Sequence, residues 1–180
     1  MTKNEPKQAV VQAAGLQGVG TAAPQTVEYE CKLIVFCCNF CAYVAADLAG
    51  ARRMQYPSNV RIIHTPCTGK IEMDTILAAF ERGIDGVLVA GCLEGGCHYL
   101  EGNLRAKRRI EAMRGLLDEI GLGRERLRMV NLSAAEATTF VARVKEMVET
   151  VERLGPNPLR DTASVSPAVQ GATNEGLKVS

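Results

Sequence analysis

Short strand-like segments and longer helix-like segments alternate four times along this chain, and that alternation limits the folds open to it. The strand-like segments are apolar and rich in β-branched residues, as strands buried on both faces are; they span 32–36, 59–65, 86–91 and 126–131. The helix-like segments span 42–55, 74–82, 99–120 and 133–154, the last one beginning with a capping box, Ser133 to Glu136. Crossover connections of this length predict parallel strands.

We therefore expect a small α/β domain with a doubly wound, mainly four-stranded parallel sheet and helices on both faces, similar to flavodoxin-like or Rossmann-like folds. This domain should occupy residues 28–155. The segment 1–27 is rich in Ala, Gln and Gly and has no periodicity, so we predict a flexible N-terminal extension. Small, polar and helix-breaking residues fill 156–180, which we predict to be a flexible C-terminal tail.

Charge and hydropathy exclude two classes of partner. The chain has 21 Lys and Arg against 20 Asp and Glu, a net charge of +1, which argues against nucleic-acid binding by phosphate neutralisation. Its apolar runs fall short of the roughly 20 residues that span a bilayer, so we expect no membrane span. The first residues show no signal-peptide pattern, and we expect a cytoplasmic protein.

Cysteines are the residues that carry the chemistry of this sequence. All seven lie between Cys31 and Cys97, and cytosolic thiols stay reduced, so clustering indicates metal ligation or redox chemistry instead of disulfides. Six of them follow strand-like segments: Cys37, Cys38, Cys41, Cys67, Cys92 and Cys97. Because the carboxyl ends of parallel strands meet at one edge of a sheet, these loops should form one site.

Five of these residues are the candidate metal ligands: Cys38, Cys41, Cys67, Cys92 and Cys97. Cys37 continues the buried strand and is better explained by core packing or by a place just behind the ligands, and Cys31 by core packing. His98 could donate a hydrogen bond to a cluster sulfur or ligate iron, although a polar residue that opens a helix is the simpler interpretation.

Three chemistries compete for these cysteines. Cys38 and Cys41 form a Cys-x-x-Cys at a helix start, which suits a thioredoxin-like dithiol oxidoreductase but leaves the other three unexplained. A zinc-binding adaptor would accept four thiolates, usually as two Cys-x-x-Cys pairs. An iron–sulfur cluster tolerates the irregular spacing seen here and uses the whole group. The sequence therefore favours an iron–sulfur cluster and leaves the other two chemistries as alternatives.

Three motifs in order resemble a known family. They are F-C-C-N-F-C-A-Y-V-A-A-D-L-A-G-A-R-R-M-Q-Y-P, C-T-G-K and G-V-L-V-A-G-C-L-E-G-G-C-H-Y-L-E-G-N, and the likeness spans 32–155. The family resembled is the iron–sulfur (delta) subunit of methyl-viologen-reducing hydrogenase. The resemblance implies a [2Fe–2S] cluster held by four of the five candidate cysteines, in a non-catalytic subunit of an oxidoreductase complex.

The resemblance also implies partners. Members of that family pass electrons between a hydrogenase or formate dehydrogenase and the flavin subunit of heterodisulfide reductase, and related complexes use flavin-based electron bifurcation. This chain departs from the family pattern at Phe40, where Trp is common, and at Leu93, Glu94 and Gly96, which replace a His, a Pro and an Asp. These exchanges change the charge and hydrogen bonding beside the site, and so bear on its potential and its partner.

Overall fold

The computed structural model describes residues 29–160. The predicted extension 1–27 and the part of the predicted tail from 161 onward lie outside the described residues. Within the described part, strands and helices alternate in the order β1 Leu33–Cys38, α1 Ala42–Ala51, β2 Val60–Thr65, α2 Met73–Glu81, β3 Gly86–Gly91, α3 Gly102–Glu119, β4 Leu127–Asn131 and α4 Ala137–Leu154. Short 3-10 turns at Thr68–Lys70 and Arg124–Arg126 precede α2 and β4.

The four strands form one parallel sheet in the order β2-β1-β3-β4. The chain leaves β1 for one neighbour and then returns past it to the other, so β1 and β3 border a topological switch point. This arrangement confirms the predicted doubly wound α/β fold. The carboxyl ends of these two central strands are the expected ligand-binding edge of such a sheet.

Two apolar layers hold helices against the sheet, because successive strand residues point to opposite faces. Leu33, Val35 and Cys37 pack with α1 and α4 on one face. Phe36 lies on the other face with α2 and α3. The helices therefore cover both faces, and the sheet edge that carries the loops after β1, β2 and β3 is left for a site.

Three helix boundaries differ from the prediction by three or four residues. Helix α1 ends at Ala51, before the predicted 55, because Arg53 adopts φ 54°, a left-handed conformation usually left to glycine. Helix α3 begins at Gly102 instead of 99, after Leu100 with φ 65°. Helix α4 begins at Ala137, so the predicted capping box at Ser133 is wrong in register: Glu136 still accepts the Ser133 backbone N–H at 2.6 Å, but Ser133 does not cap the helix.

The packed structure continues past residue 155, where we placed the domain boundary. Asn157 is buried, and its side-chain amide donates to the carbonyls of Phe80 and Ile84, each at 2.8 Å. Its backbone N–H reaches the fully buried Asp85 carboxylate, which also accepts from Arg160. The segment 156–160 therefore closes the end of the sheet opposite the cysteine loops.

Candidate metal centre

Five cysteines from three strand ends meet at one edge of the sheet. Cys38 is the last residue of β1, and Cys41 stands directly before α1. Cys67 follows β2, Cys92 follows β3, and Cys97 lies in the loop before α3. Four of the five are buried and pack together, with the half-buried Cys41 against them. We name this group the cysteine cluster; the fold brings together the whole predicted ligand set.

Three thiols form the tightest part of the cysteine cluster. The Sγ atoms of Cys38 and Cys92 are 3.3 Å apart. Cys38, Cys41 and Cys92 place their Sγ atoms within 4.8 Å of one another, and each can offer one ligand atom. The donors of this group are all sulfur, which suits zinc or an iron–sulfur cluster and not a hard cation such as Mg²⁺.

Cys67 and Cys97 form the other part, against the first residue of α3. A Cβ atom on Gly102 would lie 2.3 Å from the Cys67 Sγ and 3.4 Å from the Cys97 Sγ. Gly69 is equally confined, because its Cβ would lie 2.9 Å from the Gly102 Cα. The start of α3 therefore approaches the two thiols closely only because glycine has no side chain.

Backbone amides surround the sulfur atoms. The Gly69 N–H donates to the Cys67 Sγ at 3.4 Å. The backbone amides of Phe40 and Cys41 likewise donate to the sulfur of Cys38, and the backbone amide of His98 donates to the sulfur of Cys92. Amide donors stabilise negative charge on sulfur, so this edge of the sheet is prepared for thiolates or sulfide.

Burial acts against those charges in the metal-free chain. It raises the pKa of Cys38, Cys41 and Cys67, and it raises the pKa of Cys92 to about 11. Cys97 is the exception: burial raises its pKa too, but the backbone amides of Asn103, Tyr99 and Gly102 outweigh burial and lower it. Most of these thiols therefore carry protons near neutral pH, and binding a cation would release them.

The remaining predicted residues lie beside this group. Cys37 packs in the core on the α1 and α4 face, and burial raises its pKa to about 12. Cys31 is also buried in that core, where its sulfur accepts a hydrogen bond from Asn59 at 3.0 Å. The ring of His98 stacks on Phe40 with centroids 3.9 Å apart. The contact of His98 with the cysteine cluster is thus made by its main chain.

Two asparagines at the site were missed by sequence reasoning. Asn103 in α3 donates to the carbonyls of Cys92 and Leu93, and Asn131 at the end of β4 also donates to the Cys92 carbonyl. Asn103 is 1% exposed, which is rare for asparagine. Its position in the last family-like motif, directly after Gly102, was the only signal available.

Apolar side chains surround the cysteine cluster at the surface. Leu100 is 83% exposed, and Tyr99 is 53% exposed. Exposed apolar residues also stand near Cys41 and in the loop after β3: Phe40, Tyr43, Val44 and Leu93. We call these six residues the apolar rim. A cavity of about 550 Å³ opens beside it, between Cys67 and Leu100. Exposed apolar surfaces of this kind are common at protein contact sites.

Comparison with known protein families identifies the family of this chain. The family described as methyl-viologen-reducing hydrogenase, delta subunit, matches residues 33–155, which contain every member of the cysteine cluster. The chain belongs to this family. The resemblance seen in the three motifs is therefore confirmed.

Curated members of related systems align with the same region. The vhu iron-sulfur subunit of the F420-non-reducing hydrogenase of Methanocaldococcus jannaschii is 52% identical over 128 residues, which cover 71% of this chain and 96% of that protein. Its counterpart in Methanopyrus kandleri is 48% identical over 127 residues, covering 71% of this chain and 96% of that protein. The aligned stretch thus covers nearly all of each of these relatives.

A longer protein contains a similar region. One of the subunits of the ferredoxin:CoB-CoM heterodisulfide reductase of Methanosarcina mazei is 44% identical over 128 residues, which cover 71% of this chain but 16% of that protein. The delta-subunit domain therefore also occurs as a small part of a larger polypeptide. Among the described residues 29–160, no helix is long and apolar enough to cross a membrane.

Proposed function

We propose that this chain is a non-catalytic electron-transfer subunit that carries a [2Fe–2S] cluster. The observation that carries the proposal is the convergence of five cysteines at one edge of the sheet, with the sulfurs of Cys38, Cys41 and Cys92 within 4.8 Å of one another. The matched family and a relative named as an iron–sulfur subunit support an iron–sulfur electron-transfer subunit. When bound, such a cluster accepts and gives up one electron at a time.

The residues present fit a cluster of this type. Clusters of the [2Fe–2S] type are held by four cysteine thiolates. Cys38, Cys41 and Cys92 would supply three, and the fourth would come from Cys67 or Cys97, which lie together at the start of α3. The amides at Gly69 and His98 would lower the cost of the negative charge on sulfur.

The protein would keep water from the cluster while leaving a short route to its surface. Cys38 and Cys92 are each 2% exposed, whereas Cys41 is half-buried. The stacked rings of Phe40 and His98 stand beside them. This arrangement suits a relay, because an electron can leave through the half-buried Cys41 side while the other sulfurs stay shielded from bulk water.

We further propose that the relay connects a hydrogenase or formate dehydrogenase with a heterodisulfide reductase-like flavin subunit, in a cytoplasmic complex that uses flavin-based electron bifurcation. The heterodisulfide reductase polypeptide with a similar region supports this partner, because that relative holds the domain and the rest of its chain in one molecule. The apolar rim supplies the surface on which a partner would cover the site.

The two alternatives are less well supported. A thioredoxin-like dithiol enzyme needs a low-pKa thiol at the start of the helix, whereas burial raises the pKa of Cys41. A zinc-binding adaptor would use the same sulfur donors, so the iron, sulfide and zinc content of the purified protein distinguishes a zinc site from an iron–sulfur cluster.

Purification without oxygen is the direct test, with iron, sulfide and zinc measured on one sample. We expect two irons and two sulfides per chain, a brown colour and an EPR signal after reduction. Zinc without sulfide would replace the relay with the adaptor. Free, reactive thiols without metal would favour the dithiol enzyme instead.

A further inference from the structure

Asn103 occupies an unusual position at the start of α3. Asn103 is 1% exposed, and both polar atoms of its side chain make hydrogen bonds. The Nδ2 amide donates to the carbonyl of Cys92 at 3.0 Å and to that of Leu93 at 2.8 Å, while Oδ1 accepts the N–H of Leu104 at 2.9 Å. A buried asparagine bonded in this way holds its neighbours firmly in place, because breaking its hydrogen bonds would leave several polar groups unpaired.

The backbone of the same residue acts on a second cysteine. The Asn103 N–H, like those of Tyr99 and Gly102, is directed at the Cys97 sulfur, which would lie 3.4 Å from a Cβ atom on Gly102. One residue therefore holds the main chain at Cys92 with its side chain and the sulfur of Cys97 with its own N–H. The amide lies in the first turn of α3, where the helix dipole adds positive potential.

The loop between Cys92 and Cys97 depends on hydrogen bonds of this kind. It contains Gly95, which adopts φ 79°, and Gly96, so its backbone has much freedom to lose. Within the loop, the Gly96 N–H donates to the Leu93 carbonyl at 3.0 Å. That bond closes the turn but does not tie it to a neighbouring element. Asn103 ties the loop to α3 through the carbonyls of Cys92 and Leu93, whereas Asn131 at the end of β4 holds only the Cys92 carbonyl.

We propose that Asn103 is a positioning residue that sets the reduction potential of the cluster by holding the Cys92–Cys97 loop against the first turn of α3. This inference rests on the proposed function, with Cys97 among the cluster ligands. Amide donors aimed at cluster sulfur stabilise the reduced, more negative form and so raise the potential. Loosening the loop withdraws those donors, and the potential moves to more negative values.

The chain contains a matched control at the other end of the sheet. Asn157 is 2% exposed, its Nδ2 donates to the carbonyls of Phe80 and Ile84 at 2.8 Å each, and its Oδ1 accepts the Leu159 N–H at 2.9 Å. It therefore makes the same set of bonds as Asn103 without touching the cysteine cluster. Removing either side chain should reduce stability for the same reason.

The test compares Asn103→Ala and Asn157→Ala in the full chain purified without oxygen. We expect both variants to melt at a lower temperature than the parent chain. Asn103→Ala alone should shift the midpoint of an EPR-monitored redox titration to more negative potential and change the g-values. A midpoint and g-values equal to those of Asn157→Ala would overturn the inference and leave Asn103 a structural residue only.

An alanine variant that does not fold, or does not hold the cluster, can still be replaced or measured in another way. If Asn103→Ala does not fold, Asn103→Ser replaces it, because serine keeps a polar side chain that is too short to bridge both carbonyls. Hydrogen exchange of the metal-free chains measures the mobility of the loop directly. Faster exchange over residues 92–103 in the Asn103 variant than in Asn157→Ala supports the proposal that Asn103 holds the loop, and equal exchange contradicts it. Iron and sulfide absent from the parent chain would refute the proposed function, whereas a loaded parent with an unmoved midpoint refutes only this inference.

Discussion

The Sγ atoms of Cys38 and Cys92 are 3.3 Å apart although 54 positions separate the residues in the chain. Strands β1 and β3 are neighbours, with Cys37 level with Ala90, so the two cysteines leave adjacent strand ends side by side. Neighbouring strands are about 4.8 Å apart, and Cys92 lies one residue beyond the end of β3, where its side chain is free of the strand's alternation and approaches Cys38. The pairing of two central strands therefore creates the tightest contact of the site.

Replacing cysteines one at a time should separate ligands from core residues. We expect Cys38→Ser and Cys92→Ser each to abolish the visible spectrum, and one of Cys67→Ser and Cys97→Ser to do the same, because serine oxygen is a poor substitute for thiolate. Cys31→Ser is the control, since Cys31 lies in the core and outside the cysteine cluster. Iron, sulfide and absorbance per chain are the measurements. A full spectrum in Cys67→Ser would remove that residue from the ligand set and leave Cys97 as the fourth ligand.

Gly102→Ala should damage the site through one methyl group. The new Cβ would lie 2.3 Å from the Cys67 Sγ, so the thiol or the helix must move. We expect lower cluster content and a loss of about 1–3 kcal/mol in the free energy of unfolding, as for other overpacked sites. Gly115→Ala is the control in the same helix, because no atom lies within 4 Å of its Cβ position. It should leave the spectrum unchanged and stabilise the helix by about 0.5–1 kcal/mol; equal effects of the two variants would contradict the close approach at Gly102.

Stability of the metal-free, reduced chain should fall at alkaline pH. Burial raises the pKa of Cys37 from 9.0 to about 12, so the folded chain keeps a proton that the unfolded chain loses above pH 9. The stabilising contribution of Cys37 is complete below that pH and is lost progressively up to about pH 12. Urea denaturation at several pH values measures the effect. The stability difference between the parent chain and Cys37→Ala should shrink as pH rises, and a constant or growing difference would argue that Cys37 is free to ionise in the fold.

Leu100→Glu should weaken docking of the proposed heterodisulfide reductase-like flavin subunit without affecting the proposed cluster. Leu100 is 83% exposed in the apolar rim, and a carboxylate there would have to lose its hydration at the interface. We expect affinity to fall about tenfold or more, which corresponds to about 1.4 kcal/mol. Titration of the reconstituted flavin subunit with cluster-loaded protein measures this.

The control for that experiment is Ile120→Glu. Ile120 is 54% exposed and follows α3, whose 18 residues extend about 27 Å from the cysteine edge. Its affinity should match that of the parent chain. Weakening by both variants would mean that the partner covers α3 as a whole, and weakening by neither would place the contact away from the apolar rim.

Much of this fold could be predicted from local pattern. The apolar run 86–91 became β3 with the same bounds, since a short β-branched run between a glycine and a cysteine-rich loop has few alternatives. Helix starts were less accurate. At Leu100 and Glu136 the backbone departs from the helix to position the cysteine loop and a carboxylate, and such tertiary demands leave no periodic signal.

The cysteine spacing by itself placed the candidate sulfurs at one edge of the sheet, because parallel strands must end at one edge of their sheet. Only the tertiary structure decided which thiols meet. Strand order placed Cys38 beside Cys92, and strand alternation turned Cys37 into the core. The contacts of Gly102 and Asn103 were likewise invisible in one dimension, since they depend on where α3 lies over the sheet. Spacing specifies which strand end carries a residue, whereas packing specifies the distances on which ligation depends.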